Sequence, residues 1–154
     1  MTQKTYSGLL KQAIFLLCIA FILLGCAVGP DDAQVFLDAV NQGDIETANQ
    51  FVCQDKRDDF VADLSKKASI IAVDQDVLGL KSPGIKEIEC QKQGNDVVCT
   101  FLAPSLLCSG LDLNNLLADN PISCTSFDPA GTPTILTLEI SQGKFCGFTV
   151  EREQ

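Results

Sequence analysis

The chain of 154 residues contains no histidine. Imidazole is the usual general base near neutral pH, the partner of serine and cysteine nucleophiles, and the commonest zinc ligand. The absence of histidine therefore excludes a large share of known catalytic and metal sites. The length corresponds to a single domain.

Basic residues are also scarce, since 11 lysines and arginines stand against 20 acidic residues, and the formal net charge is −9. A surface of this charge repels phosphate backbones and anionic lipid head groups instead of releasing their counterions. We therefore expect no nucleic-acid partner.

No apolar run is long enough for a membrane-spanning helix of about 20 residues. The longest one extends from Ala13 to Leu24, after Lys4 and Lys11 and before Gly25. A basic start, an apolar stretch of about 7 to 15 residues and a small residue at the cut site are typical of an export signal.

The residues Leu23-Leu24-Gly25-Cys26 resemble the lipobox of bacterial lipoproteins. The resemblance implies cleavage before Cys26 and a thioether diacylglycerol on its sulfur. Two or three chains, each contributing about 0.8 kcal/mol per buried CH₂, make a stable anchor. The alternatives are an ordinary signal peptide that is cut nearby and an uncleaved anchor helix.

The lipobox predicts the domain organisation and the location. Residues 1–25 would be the signal peptide, 26–30 the lipidated N-terminus with a short tether, and 31–154 a single domain. Cleavage removes two lysines and no acidic residue, and leaves 129 residues with a formal net charge of −11. The protein would lie at the cell membrane, facing outside the cytoplasm, or at the outer membrane if the source has two membranes.

Six cysteines remain once Cys18 leaves with the signal and Cys26 carries lipid. An even number in an exported chain predicts disulfides. Zinc is the competing use, but there is no Cys-x-x-Cys pair and no histidine, so we expect neither a metal nor a cofactor. The six are Cys53, Cys90, Cys99, Cys108, Cys124 and Cys146.

One bridge follows from hairpin geometry. The segment from Ile85 to Ala103 is typical of two strands around Gly94-Asn95, a favoured two-residue loop of type II′. With that loop Cys90 faces Cys99, and Ile88 faces Phe101. The cysteines occupy a non-hydrogen-bonded position, where Cα atoms lie about 4.5 Å apart, which is within disulfide range.

The other four cysteines allow three pairings. Cys108 and Cys124 bracket an irregular stretch that has little reason to order itself unaided, and closing a loop of that length contributes roughly 3 kcal/mol. We prefer Cys108–Cys124 together with Cys53–Cys146.

Three helices are predicted before the strands. The first begins at Asp31-Asp32 and ends at Gly43, with Ala33, Phe36, Leu37 and Val40 on one apolar stripe. Asp44 caps a second helix that runs to about Cys53 and carries Ile45, Ala48, Phe51 and Val52. A third begins at about Lys56, with Phe60, Val61, Leu64, Ala68 and Ile71 inward.

Two hairpins follow the helices. The second extends from Thr134 to Val150 and turns at Gln142-Gly143, so that Ile140 faces Phe145. Helices first and antiparallel strands afterwards is an α+β order, in which the helices cover one face of a sheet.

The stretch from Ala33 to Ala48 resembles the opening of small exported nuclear-transport-factor-2-like domains. In those, one helix ends in Gly-Asp, here Gly43-Asp44, and a second begins at once with an inward alanine. The segments 85–101 and 135–150 are similar to the family's strands. The resemblance implies a cone-shaped, cystatin-like or nuclear-transport-factor-2-like fold with N-terminal helices on a curved antiparallel sheet, stabilised here by disulfides.

Catalytic members of this family use a His/Asp dyad, or tyrosine with aspartates. Neither set can be placed here, because there is no histidine and the one tyrosine, Tyr6, lies in the signal. We therefore expect a non-catalytic binding or interaction module at the cell envelope and not an enzyme. The alternative is a small hydrolase or isomerase that uses carboxylates alone.

Two further groups of residues need an interpretation. Asp74 and Asp76, or Asp112, Asn114 and Asp119, could bind calcium, but neither set follows the twelve-residue loop pattern, and a solvated surface is the simpler interpretation.

The leucines of the insert either pack as a satellite core or form an exposed patch that docks a partner. The expected partners are the membrane, through lipid on Cys26, and an envelope protein, a peptide or an apolar ligand. The leucines are Leu106, Leu107, Leu111, Leu113, Leu116 and Leu117.

Overall fold

The computed structural model describes residues 28–109 and 123–152, which form an α+β arrangement of helices followed by antiparallel strands. This is the element order that the sequence predicts. The helices are α1 (Pro30–Gln42), α2 (Ile45–Asn49) and α3 (Arg57–Ala68). The strands are β1 (Asp76–Val77), β2 (Leu80–Lys81), β3 (Lys86–Gln93), β4 (Asp96–Ala103), β5 (Leu106–Ser109), β6 (Ser123–Phe127), β7 (Thr132–Ser141) and β8 (Lys144–Arg152).

Helix α1 begins and ends close to where the sequence predicts. Gly29 is its N-cap, and the side chain of Asp32 accepts the N–H of Gly29 at 2.9 Å, near the positive end of the helix dipole. Gly43 ends the helix with a φ of 74°, a left-handed conformation that glycine adopts at little cost. The folded core extends upstream of the helix, because Val28 is also buried.

Helix α2 is shorter than predicted, since it ends at Asn49 and not near Cys53. The residues after it pair instead with strand β8. The N–H of Phe145 donates to the carbonyl of Phe51, and the N–H of Cys53 donates to the carbonyl of Phe145, both at 2.9 Å. Ile45, one of the apolar residues that the sequence places on this helix, is 48% exposed. Hydrogen bonds to the sheet thus replace the last predicted turn of the helix.

Helix α3 buries four of the five residues predicted to face inward, namely Phe60, Val61, Leu64 and Ala68. The fifth, Ile71, lies beyond the end of the helix and is half-buried. The left-handed conformation of Ser69, with a φ of 51°, ends the helical periodicity. Ile70 is buried after that turn in place of Ile71.

Four strands form an antiparallel sheet in the order β3-β4-β7-β8, and two separate ribbons pair β1 with β2 and β5 with β6. The β3–β4 turn at Gly94-Asn95 and the β7–β8 turn at Gln142-Gly143 lie at the same end of the sheet, because Val97 pairs with Leu138. We call this the turn end, and the opposite end, where β3 and β7 start, the far end.

The β3–β4 hairpin confirms the predicted loop and shows one error in the predicted register. Gly94 has a φ of 65°, as the first position of a type II′ turn requires, and Cys90 pairs with Cys99. The prediction that Ile88 directly faces Phe101 is wrong, because the register shifts between Lys86 and Glu89. At this point two residues of β3 lie opposite a single residue of β4, and this irregularity is a β-bulge.

The β7–β8 hairpin also turns at the predicted residues. Gln142 and Gly143 have φ values of 52° and 73°, the two positive angles of a type I′ turn, and Ile140 pairs with Phe145 as predicted. Glu139 pairs with Gly147. The residue between Phe145 and Gly147 is therefore left without a partner on β7, and it forms a second bulge.

The helices pack on one face of the sheet around Phe36, which is fully buried. Its ring centroid lies 6.5 Å from that of Phe51, 6.2 Å from that of Phe60 and 5.4 Å from that of Phe145. Aromatic pairs at these separations add to the free energy of burial. The sheet contributes Val97, Cys99, Phe101, Ala103, Leu136 and Leu138 to this core.

Asn41 joins the end of α1 to the start of β3. Its side-chain Oδ1 accepts the N–H of Ile85 at 2.8 Å, and its Nδ2 donates to the carbonyl of Ile85 at 3.4 Å. One side chain therefore satisfies both polar backbone groups of a buried residue.

Candidate functional site

The six cysteines that the sequence assigns to disulfides come together in three pairs, which are the pairs that the sequence favours. The Cα atoms are 5.0 Å apart in Cys53–Cys146, 4.1 Å in Cys90–Cys99 and 4.0 Å in Cys108–Cys124. The first pair joins the chain after α2 to β8, the second lies within the β3–β4 hairpin, and the third links β5 to β6.

The Cys53–Cys146 bridge depends on a bulge that sequence reasoning missed. Cys146 is the residue that has no partner on β7, and Cys53 lies beside β8 because its N–H donates to the carbonyl of Phe145. The bulge and the hydrogen bonds that hold the residues after α2 against β8 together bring the two sulfurs into contact. The bulge gives no signal in the hydrophobic pattern of β8.

Several predicted residues lie outside the described part of the chain. These are Cys26 with the signal segment, the possible calcium ligands Asp112, Asn114 and Asp119, and the leucines Leu111, Leu113, Leu116 and Leu117. The flanks of the insert, predicted to be irregular, pair as β5 and β6. In β5, Leu106 is half-buried and Leu107 is 46% exposed.

The space between helices and sheet is filled by side chains, and the described residues place no carboxylate in it. Their buried polar residues are Ser82 and Thr134. Ser82 donates to the carbonyl of Ile71 at 3.1 Å, and Thr134 donates to the carbonyl of Thr132 at 3.1 Å. Both hydroxyls are thus used to satisfy backbone acceptors.

Two surface hollows flank the Cys53–Cys146 bridge. One, of about 470 Å³, is lined by Cys53, Asp55, Arg57 and Lys144 among others. The other, of about 380 Å³, has Phe60 and Phe148 in its wall beside Cys146, with carboxylates from Asp55, Asp59 and Asp63. The three carboxylates are exposed, whereas the carboxylate-only enzyme hypothesis needs a desolvated pair.

The second face of the sheet, which we call the outer sheet face, points away from the helices. Along β4 and β7 its residues alternate with the buried ones, and the strand register places the residues of β3 and β8 beside them. Its members are Lys86, Glu89 and Gln91 of β3, Val98, Thr100 and Leu102 of β4, Pro133, Ile135, Thr137 and Glu139 of β7, and Thr149 and Glu151 of β8.

The outer sheet face has an apolar and threonine-rich centre, with carboxylates and Lys86 around it. Ile135 is 36% exposed, and a shallow hollow of about 310 Å³ beside it is also lined by Glu87 and Glu89. Among the described residues, none of the carboxylates Glu87, Glu89, Glu139 and Glu151 forms an ion pair. The negative charges of these carboxylates are therefore not neutralised by ion pairs within the described segments.

The calcium alternative has no support at Asp74 and Asp76. Asp74 forms an exposed ion pair with Lys81 at 3.6 Å, a contact that contributes little to stability, and Asp76 pairs with Lys81 across the β1–β2 ribbon. Within residues 28–109 and 123–152, no group of three or more acidic, cysteine or histidine side chains is arranged to hold a metal ion.

The pKa of Asp44 is perturbed, and the position of this residue explains the perturbation. Hydrogen bonds from the Thr47 side chain and then from the Thr47 backbone N–H, the latter at 3.0 Å, lower the pKa of Asp44 from its ordinary value of 3.8. Asp44 is the N-cap of α2, so this perturbation reflects helix capping and not catalysis.

None of the helices in the described segments has the length and hydropathy that crossing a membrane would need. The chain matches no protein-family model, no curated protein and no solved structure.

Proposed function

We propose that this protein is an exported lipoprotein whose domain is a non-catalytic binding module at the cell envelope. The observation that carries the proposal is the pairing of all six described cysteines in three disulfides. Disulfides persist in oxidising compartments and are rare in the cytosol. They agree with the export signal and with Cys26 at the end of the lipobox, which would anchor the domain on the outer side of the membrane, or at the outer membrane in a cell that has two.

The filled interior and the open outer sheet face favour binding over catalysis. A binding module needs an exposed complementary surface, whereas a carboxylate-only hydrolase or isomerase needs a cavity with a desolvated acid. The centre of the outer sheet face consists of Ile135 with neighbouring threonine and valine side chains, and glutamates lie around this centre. Such a surface is complementary to a polypeptide segment that presents lysine or arginine beside an apolar residue. The proposed partner is therefore a basic segment of another envelope protein.

The finer fold is part of the same proposal. A long first helix across a four-stranded antiparallel sheet, with Gly43-Asp44 between α1 and α2, supports a cystatin-like or nuclear-transport-factor-2-like cone. Non-catalytic binding would then be carried out by a fold whose enzymatic members use residues that this chain lacks.

Site-specific photocrosslinking in cells tests the binding surface. A photoreactive phenylalanine at Ile135 probes the outer sheet face, and the same residue at Val35 is the matched control, because Val35 is an exposed β-branched residue on α1. We expect a discrete crosslinked envelope protein from position 135 and none from position 35. Crosslinks from position 35 alone, or the same products from both positions, would refute the outer sheet face as the binding surface.

The charge of the partner is tested by the outer glutamates. Replacing Glu89 and Glu139 with glutamine keeps their size and removes two negative charges. The crosslink from position 135 should weaken in this variant and in high salt, because exposed charges are screened beyond about 10 Å at 0.1 M ionic strength. An unchanged crosslink yield would contradict a basic partner.

A further inference from the structure

The folded core includes a residue that is very close in sequence to the proposed lipid anchor. Val28 is 6% exposed and belongs to the hydrophobic core, and Cys26 lies two residues before it in the sequence. Two residues span at most about 7 Å, even fully extended. A diacylglycerol on Cys26 holds that residue at the bilayer surface. The start of the domain then stays within that distance of the surface.

Two contacts define the direction in which α1 crosses the sheet. At its C-terminal end, Asn41 is hydrogen-bonded to Ile85, directly before β3 starts at the far end. Near its middle, Phe36 packs on Phe145, which lies beside the β7–β8 turn. The helix therefore runs from the turn end to the far end. Pro30 lies about 9 Å from Phe36 along the helix axis, on the side of Phe36 that is opposite to the far end.

Lysines lie among the acidic residues at the turn end. The two turns carry no charged residue at their tips, and Lys92 and Lys144 flank them. The acidic residues at this end are Asp31 and Asp32 at the start of α1, Asp96 at the start of β4, and Glu139, which follows the Leu138 that pairs with Val97. Anionic head groups attract lysines near the surface, so Lys92 and Lys144 offset part of the repulsion from these carboxylates.

We infer that the domain rests directly on the membrane with the turn end of its sheet facing the lipid head groups. The strands then extend away from the membrane plane, and the outer sheet face is accessible to other proteins of the same membrane. The inference rests on the lipidation of Cys26 in the proposed function, and it adds the orientation of the domain and the surface that contacts lipid.

Single tryptophans test this orientation, because the chain contains none of its own. N95W places one in the β3–β4 turn, and A130W places one in the exposed connection between β6 and β7, beside the end of β4 at the far end. The eight residues of β3 separate the two ends by about 26 Å. The full lipidated protein is reconstituted in phosphatidylcholine–phosphatidylglycerol vesicles that carry a nitroxide quencher on the head group.

We expect a loss of tryptophan emission in N95W and none in A130W. A glycine–serine insert of about ten residues between Ala27 and Val28 has a root-mean-square length of roughly 17 Å. This insert should restore the emission of N95W while the protein stays bound to vesicles.

The measurements distinguish a failure of the proposed orientation from a failure of the proposed lipid anchor. Equal quenching of N95W and A130W, or none of N95W, in protein whose mass shows an acylated Cys26, would overturn the orientation and leave the anchor standing. A mass without the acyl groups would overturn the anchor, and the orientation with it.

Discussion

Removing the Cys53–Cys146 disulfide should destabilise the domain more than removing Cys90–Cys99. The two bridges span 93 and 9 residues of sequence. A crosslink stabilises the fold by restricting the unfolded chain, and in the chain-entropy account the effect grows with the logarithm of the loop length. At about 25 °C this account gives about 4.6 kcal/mol for the long loop and about 2.6 kcal/mol for the short one.

The burial of the cysteines does not change the expected order of the two losses of stability. Cys53 and Cys99 are both buried, so replacing either pair with alanine removes a similar amount of buried sulfur. The difference of about 2 kcal/mol between the double variants C53A/C146A and C90A/C99A should therefore come from loop length. It is a large share of the stability of a small domain, about 5 to 15 kcal/mol.

Urea unfolding followed by circular dichroism measures the difference, because residues 26–154 contain neither tryptophan nor tyrosine as a fluorescent reporter. With a slope of about 1.5 to 2 kcal/mol per M, the midpoint should fall by roughly 2.5 M in C53A/C146A and roughly 1.5 M in C90A/C99A. Equal shifts, or a larger shift for the short loop, would refute the loop-length reasoning.

Substitutions at three other positions test the fold. F36A removes the side chain at the centre of the aromatic cluster and should lower the free energy of unfolding by about 3 to 5 kcal/mol in the same assay; a loss below about 1 kcal/mol would contradict that role. N41A leaves the buried backbone of Ile85 unsatisfied and should cost about 1 to 3 kcal/mol, and N41D, which keeps the acceptor for the N–H, should cost less. Because the hydrogen bonds from Thr47 lower the pKa of Asp44 below 3.8, this carboxylate stabilises the fold above that pH and loses its contribution as the pH falls through the lowered pKa. D44N should therefore flatten the acid dependence of stability, and an unchanged pH profile would contradict the assignment.

Local signals in the sequence predict much of the fold correctly. The loop Gly94-Asn95 determines the pairing of Cys90 with Cys99, since a two-residue turn leaves a single register. Gly43 in the left-handed conformation and Asp44 as a cap likewise determine where α1 ends and α2 begins. These features depend on residues that are close in sequence.

The errors occur where a bulge interrupts a strand and where distant parts of the chain meet. Ile88 is displaced by a bulge that no periodicity reveals, and α2 ends early because Phe51 and Cys53 bond to Phe145, more than ninety residues away. The β1–β2 and β5–β6 ribbons were not predicted, since strands of two to five residues are too short for a clear alternation. The same limit applies to the outer sheet face, whose carboxylates come from three strands.

The central claim is that this domain is exported and anchored through lipid on Cys26. Intact mass spectrometry of the protein extracted from membranes tests it most directly. The account predicts a chain that begins at Cys26 and carries a diacylglycerol, and it predicts that C26S is no longer labelled by an alkyne fatty acid. An uncleaved or unacylated chain, or labelling that persists in C26S, would contradict the account.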